Sequence, residues 1–278
     1  LASISASVDR FLIGRFWGAA PVAIYRQAYQ LMTAPTDQLL SPIYQVTQPG
    51  LSMLQTDEAR YRRFYQKVIT IVSIMTMPLS LFVAVYATEI TLLVLGPKWA
   101  QSAPILLILS FGTFTKQAVG SAAFVLITRG RSRPYLVLML VNSAAQILLM
   151  AAGVRWGTQG VAIADVATTY AMIAPRLYYS FKNSPVTLGT FFAAVGRPAA
   201  ASVVMAVALI LLRLALPALT LPVTVALGCA LAAVVFPGAW LVIPGGKAEL
   251  KALVLDLRSA LQQKAVNATS VETPAVAN

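Results

Sequence analysis

The sequence predicts an all-α protein, a polytopic bundle of about eight transmembrane helices. Three observations carry this. Of 278 residues, 58% are hydrophobic and only 11% charged, where an ordinary soluble domain has roughly 25% charged residues. The mean hydropathy is +0.76. The apolar residues also fall into eight stretches, most of them close to the ~20 residues that a helix needs to cross a bilayer. Composition removes several kinds of chemistry as well. With no histidine there is no His-based triad, His zinc site or His-held haem, and a lone cysteine, Cys229, has no internal partner for a disulfide. Accordingly, no catalytic residue, metal or cofactor is expected.

The first stretch, about Leu1 to Ala20, is short and carries Asp9, Arg10 and Arg15. It opens inside an apolar run without a basic leader, which reads as the C-terminal part of a longer protein rather than as a signal peptide. The second, Ala28 to Leu54, holds Pro35, Pro42 and Pro49 at intervals of seven. That spacing puts all three near one helix face, where each removes a backbone bond and tends to kink the axis, marking them as candidate hinges. The third runs from Val68 to Ala87 and on to the stop signal Gly96-Pro97. Then follow Pro104 to Ile127, Tyr135 to Gly153 and Gln159 to Tyr179. Ala199 to Leu216 and Leu221 to Ile243 are the most purely apolar, with Pro217 and Pro222 bracketing a tight turn. Beyond Ile243, Leu250, Leu253, Val254, Leu257 and Leu261 share one face of a predicted amphipathic helix over residues 247–264, suited to the inner leaflet. Residues 265–278 lack an apolar period and predict disorder.

Orientation follows from Lys and Arg, which cytoplasmic loops retain. Fourteen of them, in clusters around Arg60, Arg131, Lys182 and Lys251, fall on one side; the alternate loops hold Lys98, Arg155 and Arg213. The C-terminus is therefore predicted to be cytoplasmic. This loop distribution also accounts for the net charge of +12 without any binding of nucleic acid.

Lys116 is the residue that this scheme does not absorb. It sits at the middle of the fourth stretch, where a cation costs about 2.5–3.5 kcal/mol on insertion scales, so it needs a wet cavity or a partner. Thr113, Gln117, Gly120 and Ser121 share its face. Asp37, Ser41, Gln45, Gln48 and Ser52 do the same in the second stretch, Asn142 and Gln146 in the fifth, and Asp165, Thr168 and Thr169 in the sixth. Four polar-faced helices are what a central hydrophilic cavity requires; bonding of these groups across helix interfaces is the competing reading. The Gly14/Gly18 pair permits close helix approach. Trp17, Tyr25, Tyr29 and Trp99 fall at predicted outer interfaces as an aromatic belt, with stacking on sugar rings as the competing reading. Cys229 reads as a small apolar filler.

Several ordered blocks resemble a known family: Val8-Asp-Arg-Phe-Leu-Ile-Gly-Arg-Phe-Trp-Gly18, Ile24-Tyr-Arg-Gln-Ala-Tyr-Gln-Leu31, Pro49-Gly-Leu-Ser52, Leu95-Gly-Pro-Lys-Trp99 and Gly157-Thr-Gln-Gly-Val-Ala162. Over about residues 5–200 the chain is similar to bacterial polysaccharide exporters, the lipid-linked repeat-unit flippases of the multidrug/oligosaccharidyl-lipid/polysaccharide superfamily. The resemblance implies two six-helix lobes around a cavity. Residues 1–198 would be the second lobe, residues 199–246 two additional helices, and the N-terminal lobe a missing partner within the same protein. It also implies a multi-pass protein of the bacterial inner membrane, not an enzyme, that carries undecaprenyl-diphosphate-linked oligosaccharide from the inner to the outer leaflet by alternating access.

On that reading the partners are the lipid-linked oligosaccharide, membrane lipids and the polysaccharide polymerase machinery. Arg10, Arg15, Arg26, Lys116 and Gln117 are candidates for contacting the diphosphate and glycan, and Asp9, Asp37 and Asp165 are candidates for coupling to an ion gradient. Physical requirements agree, because a diphosphate and a glycan cannot cross hydrocarbon without a water-lined route and cations. Two alternatives remain open. A drug/cation antiporter of the same superfamily would favour acidic cavity residues, and a membrane polymerase or ligase would carry its active groups on the outer loops.

Overall fold

Every backbone polar group inside lipid must be satisfied within its own segment or by packed protein, and each described element here is helical. The computed structural model describes residues 2–216 and 220–243, with side chains from residue 8 onward. The predicted amphipathic helix at 247–264, the tail at 265–278 and Pro217 of the predicted turn lie outside the described residues.

The chain begins with α1 (Ala2–Trp17) and α2 (Ala19–Met53), joined by Gly18 alone. Gly18 has φ +86°, a left-handed conformation that a residue without a Cβ adopts readily. Close helix packing, predicted for Gly14 and Gly18, is not what Gly18 serves: a Cβ there would meet nothing within 4 Å, whereas one on Gly14 would lie 3.5 Å from Val22 of α2. At 35 residues, α2 is about 52 Å long, and it runs without interruption through Pro35, Pro42 and Pro49. All three prolines are exposed, so each ring removes one backbone bond on the open side, and the helix bends or yields there without breaking.

Next come α3 (Glu58–Val85), the short α4 (Ala87–Val94), a 3₁₀ turn at Pro97–Ser102, α5 (Ala103–Gly120) and α6 (Ala122–Thr128). α3 starts ten residues before its apolar run because Asp57 caps it, accepting the Arg60 amide at 3.0 Å. Tyr61 and Tyr65 then pack inward, Tyr61 bonding Thr128 at 2.8 Å. α7 (Ser132–Gly153) and α8 (Gly157–Ala171) form a hairpin around a 3₁₀ turn at Val154–Trp156, and α9 (Ile173–Phe181) extends α8. α10 (Leu188–Ala215) also starts before its predicted boundary: Thr187 and Thr190 form a reciprocal capping box, and the helix carries Pro198 within it. α11 (Leu221–Val242) closes the described chain.

Among the described residues, five stretches are long and apolar enough to cross a membrane: Glu58–Val85, Pro97–Thr128, Ser132–Phe181, Leu188–Ala215 and Leu221–Val242. The third of these, 50 residues long, is the α7/α8 hairpin and supplies two of the predicted crossings. The first two predicted spans fall outside the criterion: α1 has only 16 residues, and α2 carries a row of Gln, Ser and Asp.

Neighbouring crossings alternate in direction. Ser102 bonds the Ile24 carbonyl and Tyr44 bonds Gln117, so α2 runs parallel to α5. At one end of the bundle Arg129 meets Glu58 and Arg62 bonds the Pro185 carbonyl; at the other Trp17 bonds the Val154 carbonyl and Arg213 meets Glu89. α3 is central, packed on α2, α5 and α10, and 67% of its apolar stretch is buried, against 11% for α11. α11 is thus the peripheral helix, and Cys229 on it is exposed rather than a core filler.

The α7/α8 hairpin is the tightest seam. A Cβ on Gly153 or Gly160 would collide with the other's carbonyl oxygen, so each glycine is required by backbone approach. Gly160→Val is expected to lower the melting temperature and membrane yield sharply. Gly196→Ala, where a Cβ meets nothing within 4 Å, should leave both unchanged; thermal unfolding in detergent compares them.

Candidate functional site

Four helices meet around Lys116. α5 places it four turns in, and Gly112 lies one turn earlier, where a Cβ would press on Val166 at 3.0 Å. Glycine there lets α5 and α8 approach, and the approach brings Lys116 Nζ to 3.2 Å from Asp165 Oδ2. The other carboxylate oxygen, Oδ1, accepts from Gln146 Nε2 of α7 at 3.2 Å. Asp165 is buried, whereas the lysine side chain remains 37% exposed. One turn of α9 onward, Arg176 Nη2 donates to Asn142 Oδ1 at 2.7 Å. A buried acid, its base and its amide donor thus satisfy one another inside the bundle, as low-dielectric surroundings demand.

Three recesses adjoin this network, and Tyr29 of α2 borders all of them. The largest, about 370 Å³, is lined by Lys116, Tyr135, Asn142, Gln146 and Arg176. A second of about 140 Å³ holds Asp37, Thr113, Gln117, Asp165 and the opposite side of Lys116. The third, about 220 Å³, gathers Asp9, Arg10, Arg26 and Gln30 where α1 meets α2. The structure therefore brings Arg10, Arg26, Lys116, Gln117, Asp9, Asp37 and Asp165 into a contiguous zone. Arg15 is exposed and lines none of the three recesses. Asp9 is buried, takes the Arg10 amide at 2.7 Å and lies 3.8 Å from the Arg10 guanidinium.

The four polar faces resolve into two kinds. On α2, Asp37, Ser41, Gln45, Gln48 and Ser52 are all exposed. On α5 and α8 the hydroxyls turn inward: Thr113, Thr168 and Thr169 donate to Leu109, Ala164 and Asp165 carbonyls of their own helices. Sequence reasoning missed the Lys116–Asp165 pair. The available signal was one base and one acid at mid-span in separate apolar stretches, where each answers the other's burial. It missed Tyr29 as well. Tyr25, assigned above to an aromatic belt, is 1% exposed and sits in the core with Ile13, Leu109 and Val161, because its helix turn faces α5. Trp17 stays half-exposed, its indole bonded to the Val154 carbonyl at 2.7 Å.

Fold and interior together define the class: a helical membrane protein with a polar interior set between apolar outer faces. Residues 1–104 match the family model described as polysaccharide biosynthesis protein. Among relatives, the chain is 25% identical over 171 residues to the teichuronic acid biosynthesis protein TuaB of Bacillus subtilis (strain 168), covering 62% of this chain and 35% of that protein. It is 26% identical over 106 residues to the lipopolysaccharide biosynthesis protein WzxC of Escherichia coli (strain K12), covering 38% of this chain and 22% of that one. The fold matches the lipid II flippase MurJ in its inward closed conformation with a TM-score of 0.67 at 14% identity, over 84% of this chain and 50% of that chain. The resemblance to polysaccharide-biosynthesis membrane proteins holds, and the bundle shares the fold of that solved structure. The chain spans half or less of the length of these proteins.

Because Lys116 and Asp165 answer each other, their energies should couple. Lys116→Met and Asp165→Asn are each expected to destabilise the protein by leaving one charge unpaired, and the double variant should recover about 0.5–3 kcal/mol of the summed loss. Thermal denaturation of the four proteins in detergent measures it, with strict additivity counting against a coupled pair.

Proposed function

We propose that this chain is the second lobe of a two-lobed transporter that moves a lipid-linked oligosaccharide with an anionic, diphosphate-type head group across the bacterial inner membrane. The helices α1 to α9 form the lobe, α10 and α11 are the two added helices, so that the division falls before Leu188 rather than at residue 198, and the C-terminus lies in the cytoplasm. The observation that carries this reading is the combination of an exposed polar α2 face with Arg10, Arg26 and Lys116 bordering recesses behind it. An uncovered row of Asp, Ser and Gln on a helix otherwise built into an apolar bundle is suited to water, and a membrane protein exposes such a row along a hydrophilic path.

The chemistry then follows from the cargo. Guanidinium and ammonium groups supply charge-assisted hydrogen bonds to phosphate oxygens, glycan hydroxyls exchange with the α2 amides, and the polyprenyl tail stays in lipid. Lys116 serves the head group from the mouth of the 140 and 370 Å³ recesses, Arg10 and Arg26 from the 220 Å³ recess, and Gln117 by hydrogen bonding. Asp9, Asp37 and Asp165 are the carboxylates available for coupling to an ion gradient. Pro35, Pro42 and Pro49 give α2 three points of flexure as the lobes rock between inward- and outward-open states. Across the three recesses the four bases Arg10, Arg26, Lys116 and Arg176 exceed the three acids Asp9, Asp37 and Asp165 by one, which favours an anionic cargo over a cationic one.

In the intact protein, Lys116→Ala and Arg10→Ala are each expected to cut polysaccharide export per molecule of membrane-inserted protein about tenfold or more, the worth of a hydrogen bond to a charged group; Lys116→Arg should retain most of it. Unchanged export in both alanine variants removes the anionic-cavity assignment. Sidedness is tested in a Cys229→Ala background with Arg133→Cys and Trp156→Cys, both exposed positions. An impermeant thiol reagent applied from outside is expected to label position 156 and spare position 133.

A further inference from the structure

Arg213 and Arg176 each stand at a cavity, and they differ in what answers their charge. At the largest cavity, about 920 Å³ beside α10 and walled by leucine and phenylalanine, Arg213 Nη2 sits 2.7 Å from Glu89 Oε1 and Nη1 donates to the Val85 carbonyl at 2.8 Å. That base has its acid. Arg176, in the 370 Å³ recess, has none: its hydrogen bond goes to the neutral Asn142 amide oxygen, and no ion pair joins it to a carboxylate among the described residues. α7 runs from Ser132 to Gly153, so Asn142 lies about 15 Å along it, close to its middle. The guanidinium bonded to Asn142 is therefore deep in the bundle, not among the loop charges at the Arg129 end.

A cation at that depth without a counter-charge is costly, and an anion relieves it. The unbonded Nε and Nη1 of Arg176 are not sealed from solvent. Asn142 accepts through Oδ1, which leaves its two N–H donors. Tyr135 and Gln146 border the same recess, and Gly120 keeps it open, since a Cβ there would meet nothing within 4 Å. Two bases, Lys116 and Arg176, line the recess, and no acid does. Lys116 is already answered by Asp165 behind it, so one unit of positive charge is left over. From this charge count and donor set we infer that the recess binds an acidic sugar residue through its carboxylate. One carboxylate cancels one guanidinium, and its two oxygens match the planar fork of Arg176. Ring hydroxyls then bond Asn142 Nδ2 and Tyr135 Oη. A diphosphate brings more than one negative charge and would leave the excess near the buried Asp165; a neutral sugar leaves Arg176 uncompensated. The inference rests on the oligosaccharide cargo proposed above and extends it: the head group stays at Lys116, Arg10 and Arg26, and Arg176 selects the glycan by its charge.

Saturation-transfer NMR on the intact protein in detergent, with empty micelles as the blank, tests this with glucuronate and glucose as probes and inorganic pyrophosphate as competitor. Glucuronate is expected to bind about tenfold more tightly than glucose, the worth of one hydrogen bond between charged groups, and an equal concentration of pyrophosphate should not displace it. Arg176→Gln, which keeps a donor for Asn142, should bring glucuronate down to the level of glucose. Arg155→Gln, at an exposed arginine that lines none of the three recesses, should leave the preference intact. Equal binding of the two sugars by the wild-type protein, a preference that survives Arg176→Gln, or displacement of glucuronate by pyrophosphate would each overturn the assignment. The wild-type comparison needs no variant to fold. Export is read separately: its loss in Lys116→Ala beside equal binding of the two sugars removes this inference and leaves transport standing, and unchanged export beside selective binding does the reverse.

Discussion

A cation at the middle of an apolar helix governs the interior of this protein. Lys116 can be held there only if something offsets the loss of water, and Asp165, one helix away at 3.2 Å, does so. The remaining arrangement follows from that need. Gly112 thins α5 where α8 must come close, Gln146 fills the second carboxylate oxygen, and the Gly153/Gly160 seam draws α7 against α8 so that the amide can reach. Break the seam and the amide donor retreats; remove the acid and a half-buried ammonium is left without its counter-charge.

The helical class and the six apolar crossings from α3 to α11 were legible from hydropathy alone, because lipid imposes a length and a polarity on each span. The ends of α3 and α10 were not. Both extend past their apolar runs through caps made by Asp57 and Thr187, and a polar or charged first turn is invisible to a search for hydrophobicity. Most candidate residues of the site do converge, since ionisable groups in spans have few places to go. Arg15 does not, because one further turn along α1 carries it to the exposed end. The pairing of Lys116 with Asp165 lies 49 positions apart in sequence, and tertiary packing alone brings it about. Tyr25 was misplaced for the opposite reason: its amphipathic side chain suits an interface, but helix rotation sets it in the core.

Two separate polar systems share the bundle without touching. One centres on Asp165 and the recesses behind α2; the other is the Glu89/Arg213 pair facing the cavity beside α10. Each is an acid and a base joined across helices, yet their surroundings differ. The first has a row of exposed amides and hydroxyls next to it, suited to a hydrated cargo. The second is walled by leucine and phenylalanine.

Five threonines of α2, α5 and α8 spend their hydroxyl protons at home. Thr33, Thr36, Thr113, Thr168 and Thr169 each bond a carbonyl of their own helix, so these side chains lubricate the contacts between helices instead of gluing them. Sliding one helix along another would leave those five bonds intact and would have to break the ones that cross, among them those at Asp165, between Arg176 and Asn142, from Tyr44 to Gln117 and from Tyr170 to the Phe111 carbonyl. The resistance of the lobe to internal rearrangement thereby falls on the side chains that reach between helices, and the Asp165 carboxylate alone holds two of those bonds.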